Sequence, residues 1–139
     1  MEKPPCPEKP EQLDADSAAQ FAVDFERTYT AQQIYDDYDD ESEQVLIHHS
    51  LNNVPSSPSN ATALDDGYLY AFPVWEAMTI AYKRSDEGDM VGDEWYNVLY
   101  FVSNGSVYRM EQPESNEFEE PYPDPRENGT AVTCPPSGN

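Results

Sequence analysis

Basic residues are scarce in this chain of 139 residues, which holds seven lysines and arginines against 28 aspartates and glutamates. A formal net charge of -21 argues against two classes of function. A nucleic-acid binder that neutralises phosphates needs clustered lysine and arginine, and docking on an anionic membrane needs a basic patch. No apolar run is long enough for a membrane-spanning helix. The first ten residues contain no apolar stretch, so we expect no signal peptide in this chain.

Glycine and histidine are also rare, with six and two residues in the chain. None of the glycine-rich phosphate-binding motifs occurs, and the nucleophile-elbow motif is missing. His48 and His49 are adjacent, so on a strand they would point to opposite faces and at most one could join a given site. The acidic runs lack the spacing of a calcium-binding loop. We therefore predict no catalytic residue, no metal site and no cofactor, and leave open whether the protein is an enzyme.

The acidity has a particular composition, because lysine occurs three times while aspartate and glutamate occur 13 and 15 times. Such lysine depletion resembles the proteins of halophilic archaea, in which molar salt screens the self-repulsion of a strongly negative chain. The charge is -10 in residues 1–43, -6 in 44–112 and -5 in 113–139. Because a dedicated binding face would concentrate the charge, we interpret it as an adaptation to salt. An acidic surface that mimics nucleic acid is the alternative.

Proline divides the chain into three parts. Four of the 13 prolines lie in the first ten residues and six in the last 27. We predict a Pro-rich N-terminal tail at 1–12, a single domain at 13–112 and a Pro-rich acidic C-terminal tail at 113–139. Aromatic residues concentrate in the middle part, which favours a folded core there over disorder.

A helix is predicted at the start of the domain. Asp14 is a suitable N-cap residue. Apolar residues follow on one helical face, which we expect to cover a sheet: Ala18, Phe21, Ala22, Phe25 and Tyr29. The acidic run 36–41 would place anions at the negative end of the helix, so we expect the helix to fray or end there.

Four strands are predicted after the helix, at 44–51, 68–83, 94–103 and 106–112. Segment 52–63 is predicted to be a loop. Pro73 interrupts the second strand and suggests a bulge, an edge or two separate strands.

Asn104-Gly105 predicts a two-residue hairpin turn in which both residues adopt positive φ. The resulting register pairs Leu99 with Met110, Phe101 with Tyr108 and Val102 with Val107. We expect the face that carries Leu99, Phe101, Tyr108 and Met110 to meet the helix.

Together these elements predict an α+β fold, with one N-terminal helix packed on an antiparallel sheet of about four strands. This order of elements resembles the cystatin-like and NTF2-like folds, in which a helix lies across a curved sheet. Folds of this layout host binding, inhibition and catalysis alike, so the resemblance does not determine the function.

The two cysteines, Cys6 and Cys134, lie near opposite ends of the chain. A disulfide between them is the simplest pairing, and it would imply an oxidising, extracytoplasmic setting. Two free thiols, or a lipid-bearing Cys6 with Cys134 free, are the alternatives. Three Asn-x-Ser/Thr sequons, at Asn60, Asn104 and Asn128, are glycosylation candidates because all lie in predicted turns or tails.

One stretch near the N-terminus suggests a family. It contains Cys6-Pro7-Glu8-Lys9-Pro10, Leu13, Ala18, Phe21-Ala22, Phe25-Glu26 and Tyr29. This pattern resembles the start of the mature region of haloarchaeal secreted proteins or lipoproteins of unknown function. The resemblance implies a secreted or cell-surface location, including that of a lipoprotein, and it implies no activity.

Aromatic side chains are more numerous than one helix can cover. The candidates for an exposed aromatic surface are Tyr70, Trp75, Trp95, Tyr96 and Tyr100. Such a patch on the sheet would indicate contact with a ligand or protein, whereas packing in the core or in a dimer is the alternative.

We therefore expect a non-enzymatic, extracytoplasmic module of a halophilic archaeon that binds an unknown protein or small ligand through its sheet. An NTF2-like pocket that binds or converts a small molecule is the second hypothesis. An acidic nucleic-acid mimic is the third. The oligomeric state is left open.

Overall fold

The computed structural model describes residues 12–38, 45–52, 54–55, 58, 60–82, 90–113, 118 and 122–132. Within them the chain forms α1 (Ala15–Tyr38), β1 (Val45–Asn52), β2 (Thr62–Leu64), β3 (Gly67–Tyr82), β4 (Met90–Ser103), β5 (Val107–Pro113), α2 (Pro125–Asn128) and β6 (Thr130–Ala131). The strands form one antiparallel sheet in the order β1-β3-β4-β5-β6, with β2 paired beside β3. The predicted α+β class and N-terminal helix are confirmed.

The sheet has six strands in the described part of the chain, so the prediction of about four was too low. The four predicted strands correspond to β1, β3, β4 and β5. β2 lies at the end of the segment that was predicted to be a loop, and β6 lies in the predicted tail. Strands of three and two residues carry no alternating pattern of their own. They form because β3 and β5 offer backbone partners.

Asp14 caps α1 as predicted. The Ser17 N–H donates to Asp14 Oδ1 at 2.8 Å, and the Asp14 N–H donates to Ser17 Oγ at 2.9 Å. This reciprocal bonding satisfies a backbone donor that the helix leaves open at its N-terminus. The bond from the Ser17 N–H also lowers the pKa of the Asp14 carboxyl.

The predicted apolar face of α1 packs on the sheet. Ala18, Phe21, Ala22 and Phe25 are buried there, and Tyr29 is partly buried. The helix ends at Tyr38, within the acidic run that was expected to end it. No basic residue lies in its last turn to offset the negative end of the helix.

β3 continues without a break through Pro73, which pairs with Asn97 of β4. On the other side of β3, the described pairings cover 67–69 with β2 and 75–82 with β1, and they leave 70–74 between them. Proline cannot donate a ladder hydrogen bond. The structure excludes two separate strands and a bulge against β4, and among the described pairings Pro73 has a strand neighbour on the β4 side only.

The β4–β5 hairpin has the predicted register, with Leu99 opposite Met110, Phe101 opposite Tyr108 and Val102 opposite Val107. The register alternates regularly, so these strands present two well-defined faces.

The turn of this hairpin differs from the prediction. Asn104 does not have positive φ, and Gly105 lies outside the left-handed region. The turn is closed instead by Ser103, whose N–H donates to the Ser106 carbonyl at 3.0 Å, and the two hydroxyls lie 3.0 Å apart. The hairpin thus keeps its predicted register without a positive φ at either turn residue.

The face expected to meet the helix was assigned wrongly. α1 packs on the even-numbered residues of β3 and β4, including Phe72, Val74 and Tyr100. Phe101 and Tyr108 lie on the opposite face with the rest of a second cluster: Leu69, Leu99, Met110, Phe118 and Tyr122. Both faces are apolar in this region because both are covered, so apolar alternation alone could not distinguish them.

Phe118 and residues 122–126 cover part of this second face, although their composition placed them in the predicted tail. Asp124 caps α2 by accepting a bond from the Arg126 N–H. The Arg126 guanidinium lies 4.6 Å from the centroid of the Phe101 ring, and it donates to Asp65 in the β2–β3 turn at 2.8 Å. Pro125 is fully buried. The segment is thus joined to the sheet by apolar, aromatic and ionic contacts.

Alanine substitution should affect stability differently at two glycines, Gly67 and Gly105. A Cβ at Gly67 would lie 2.6 Å from Phe101 Cζ and 2.6 Å from the Val102 carbonyl oxygen, whereas a Cβ at Gly105 would meet no atom within 4 Å. We expect Gly67→Ala to lower the free energy of unfolding by about 1–3 kcal/mol, as overpacking of a core does. Gly105→Ala should leave it nearly unchanged. Urea unfolding of the two variants measures the difference, and equal effects would contradict the close approach at Gly67.

Candidate functional site

The interface between α1 and the sheet contains a buried charge. Glu26 lies on the sheet-facing side of α1 and has no exposed surface. A carboxylate in such a place is strongly disfavoured unless it is paired and hydrogen-bonded.

Four hydrogen bonds from the sheet satisfy Glu26. Arg109 of β5 supplies two of them, from Nε to Oε1 and from Nη2 to Oε2, each at 2.8 Å. The hydroxyl of Tyr100 donates to Oε1 at 2.6 Å, and the hydroxyl of Tyr96 donates to Oε2. Each oxygen therefore accepts two bonds, and the paired Arg–carboxylate geometry fixes orientation as well as charge.

Tyr96, Tyr100 and Arg109 each remain protonated in the folded protein. Burial, and next the nearby Glu26 carboxylate, raise the pKa of Tyr96 and of Tyr100 far above the ordinary value. Burial alone would lower the pKa of Arg109, but its hydrogen bonds to Glu26 outweigh that effect and raise it. Both phenols and the guanidinium thus remain donors.

Arg109 connects this buried network to the surface. Its Nη2 also donates to Glu111 at 2.8 Å, and its Cζ lies 4.8 Å from the centroid of the Tyr29 ring. A cavity of about 390 Å³ lies beside the arginine and is lined by Met110, Asn128, Gly129, Thr130 and Val132 together with these two neighbours. Because Glu26 is fully bonded, the network's evident role is to hold α1 on the sheet.

Glu94 lies near two other carboxylates, Glu76 and Glu111, the second of which is bonded to Arg109. Glu76 of β3 is directly opposite Glu94 of β4. Partial burial, then Glu111 and Glu76, raise the pKa of Glu94. Like charges in directly opposite positions destabilise a sheet. No group of residues in the described ranges is arranged to hold a metal ion.

Sequence reasoning missed Glu26 and Arg109 as partners. A signal was present, because Glu26 falls on the apolar stripe, four residues after Ala22 and three before Tyr29. The wrong choice of sheet face hid the partner, since it placed Tyr108 beneath the helix and Arg109 in solvent.

Removal of either member of the buried pair should be strongly destabilising. We expect Arg109→Met to lower the free energy of unfolding by about 3–5 kcal/mol, because it leaves the Glu26 carboxylate buried without its cation. The double variant Glu26→Leu/Arg109→Met should recover much of that loss. Arg27→Met, which changes an exposed arginine one residue away on α1, is the control and should have little effect. Denaturant unfolding gives all three values, and a single-variant loss no larger than that of the control would contradict the network.

The buried tyrosines predict a loss of stability at alkaline pH. Their pKa is raised in the folded state, so above about pH 10 the unfolded chain releases phenolic protons that the folded chain retains. Their contribution is complete below that pH and is lost as the pH rises, by about 1.4 kcal/mol per pH unit for each tyrosine. Tyr96→Phe should make the decline shallower, whereas the control Tyr108→Phe, on the other face, should change it less. Urea unfolding across this pH range tests the slope, and identical slopes in the two variants would argue against the assignment.

The five aromatic candidates do not form one surface. Tyr96 and Tyr100 are buried beneath α1, where their hydroxyls serve Glu26. Tyr70 packs against the same core, with its ring centroid 5.6 Å from that of Phe72. Only the two tryptophans, Trp75 and Trp95, lie on the face away from the helix.

Trp75 and Trp95 form a stacked pair directly across β3 and β4. Their ring centroids are 5.1 Å apart and their planes differ by 5°. Trp95 is 43% exposed and is the one exposed large hydrophobic residue among those whose burial the structure describes. The buried Trp75 Nε1 has no acceptor among the described residues.

A polar row lies beside the tryptophans on the same face. Asp93 is opposite Ala77, and Ala77 is opposite Ser50 on its other side. Asp93 and Ser50 are exposed, and the alanine between them is small. We call the group Trp75, Trp95, Ala77 and Asp93 the tryptophan site.

On its other side, the tryptophan site lies near the residues that cover the second face, Phe118 and 122–126, which we call the C-terminal cover. Pro73 and Asn97 form the next row, where a cavity of about 210 Å³ is also lined by Phe118 and Tyr122. The site thus lies on a stretch of sheet that borders the residues covering the second face.

The three sequon asparagines lie on other parts of the chain than the tryptophan site. Asn60, Asn104 and Asn128 are exposed, and their glycosylation stays a prediction. His48 and His49 are adjacent in β1, opposite Thr79 and Met78. The proposed disulfide cysteines, Cys6 and Cys134, fall outside the described residues.

No family model, curated protein or solved structure matches this chain. No helix in the described ranges is long and apolar enough to cross a membrane. The function is therefore inferred from the residues of the chain itself.

Proposed function

We propose that this domain is a binding module that contacts a protein or small ligand through the sheet face opposite α1, at the tryptophan site. The observation that carries the proposal is the exposure of Trp95 on a paired strand. Tryptophan is enriched at the few interface positions that contribute most of the binding energy. A large exposed indole backed by a second indole is a rigid contact surface of that kind.

The two faces of the sheet differ in what they can offer a partner. On the helix face, Glu26 is bonded at both oxygens, and the neighbouring aromatic residues Phe25, Phe72 and Tyr100 are buried. On the other face, the described cover packs on the cluster around Phe101. Among the side chains whose burial the structure describes, the tryptophan site is thus the part of the sheet where a large aromatic side chain is accessible.

We further propose an extracytoplasmic setting in a halophilic archaeon. Its support is the acidic composition together with the opposition of Glu76 and Glu94, which high salt would relieve by screening. The cysteines near both ends of the chain support the location outside the cytoplasm.

Selection of random displayed peptides on the purified domain tests the binding proposal, and intrinsic fluorescence can follow binding because the chain has only two tryptophans. Selected peptides should lose about tenfold or more in affinity with Trp95→Ser, since a central anchor contributes more than 1 kcal/mol. Trp95→Phe, which keeps an aromatic ring, should lose less.

Matching unfolding midpoints must first show that both Trp95 variants are folded. A selection that yields no binder, or only binders that ignore Trp95→Ser, would overturn the proposal.

A further inference from the structure

We propose that the partner of the tryptophan site presents an arginine side chain, which stacks on the Trp95 indole beside the Asp93 carboxylate. This inference rests on the proposed function and names the chemistry of the partner.

The spacing of the two residues suits such a cation. Trp95 and Asp93 are two positions apart in β4, so their side chains leave the same face about 7 Å from each other. Both are exposed. A cation over an aromatic ring is attracted at distances up to about 6 Å from the ring centroid. One guanidinium can therefore contact the indole face and the carboxylate together.

The domain uses the same combination twice within its own fold. Arg109 lies 4.8 Å from the Tyr29 ring centroid and binds Glu26 and Glu111. This site joins one arginine to two carboxylates and two aromatic rings, because Arg109 also lies 5.9 Å from the Tyr96 ring centroid.

The second internal example is at the C-terminal cover. Arg126 lies 4.6 Å from the Phe101 ring centroid and binds Asp65 and Asp124. At the tryptophan site the ring and a carboxylate are present, but no arginine or lysine of the described ranges is paired with Asp93. A partner would supply the missing cation.

Charge and ring type favour arginine over other occupants. Tryptophan is the strongest cation-binding aromatic side chain, and the planar guanidinium stacks on rings better than an ammonium does. The net charge of -21 attracts basic partners and repels acidic ones. A neutral sugar could stack on the indole and donate a hydroxyl to Asp93, and an aromatic ring could stack there as well, but neither would be attracted by the net charge of the domain.

The test compares two short peptides of glycine and serine, one with a central arginine and one with citrulline, which has nearly the same shape and no charge. The readout is the pair of indole N–H signals in the nuclear magnetic resonance spectrum of the labelled domain at low salt. We expect the arginine peptide to shift the Trp95 signal and the citrulline peptide to bind about fivefold more weakly. High KCl should weaken the arginine peptide toward the citrulline level.

Two aspartate variants separate the site from the general charge. Asp93→Asn should weaken the arginine peptide about threefold, as loss of an exposed ion pair does. Asp66→Asn removes the same charge from the exposed β2–β3 turn and should leave affinity within about twofold of the parent.

Equal binding of both peptides, or equal effects of Asp93→Asn and Asp66→Asn, would overturn the arginine inference. Failure of the arginine peptide to shift either indole signal would overturn it as well. In each case the Trp95 dependence of selected binders decides separately whether the site binds a partner at all.

Discussion

A carboxylate can lie between α1 and the sheet only if the sheet supplies donors to both of its oxygens. Tyr100 of β4 and Arg109 of β5 are cross-strand partners. Tyr96 lies four residues before Tyr100 on β4 and therefore faces the helix as well. Their three side chains converge on Glu26. A shift of the helix along the sheet would separate the charge from its donors, so this contact fixes both the rotation and the position of α1.

The small number of basic residues also affects the rest of the domain. With seven basic residues in the chain, the arginines that lie against the sheet each serve more than one carboxylate. Arg109 holds the helix face, and Arg126 holds the C-terminal cover against Phe101. Glu76 and Glu94 lie outside these two networks and are directly opposite each other on β3 and β4, where like charges repel. Salt and a basic partner are two physical ways to relieve that repulsion.

Local signals predicted much of this fold, because Asp14, the helical stripe and the β4–β5 register depend on neighbours in sequence. The contact between Glu26 and Arg109 spans 83 positions and has no local signature. The wrong sheet face has a related cause, since Phe101 is covered by a segment whose prolines suggested a tail. Trp75 and Trp95 were named as candidates, but their pairing depends on the β3–β4 register, which no short turn motif specifies.

Pro73 has a consequence for how the domain behaves at high concentration. Where a long apolar strand has a neighbouring strand on one side only, its other side is a template on which another chain can add a strand and begin to aggregate. The pyrrolidine ring removes a donor from that side and obstructs the approach of a new backbone. Among the described pairings, the gap between β2 and β1 along β3 therefore contains a residue that disfavours the addition of another strand.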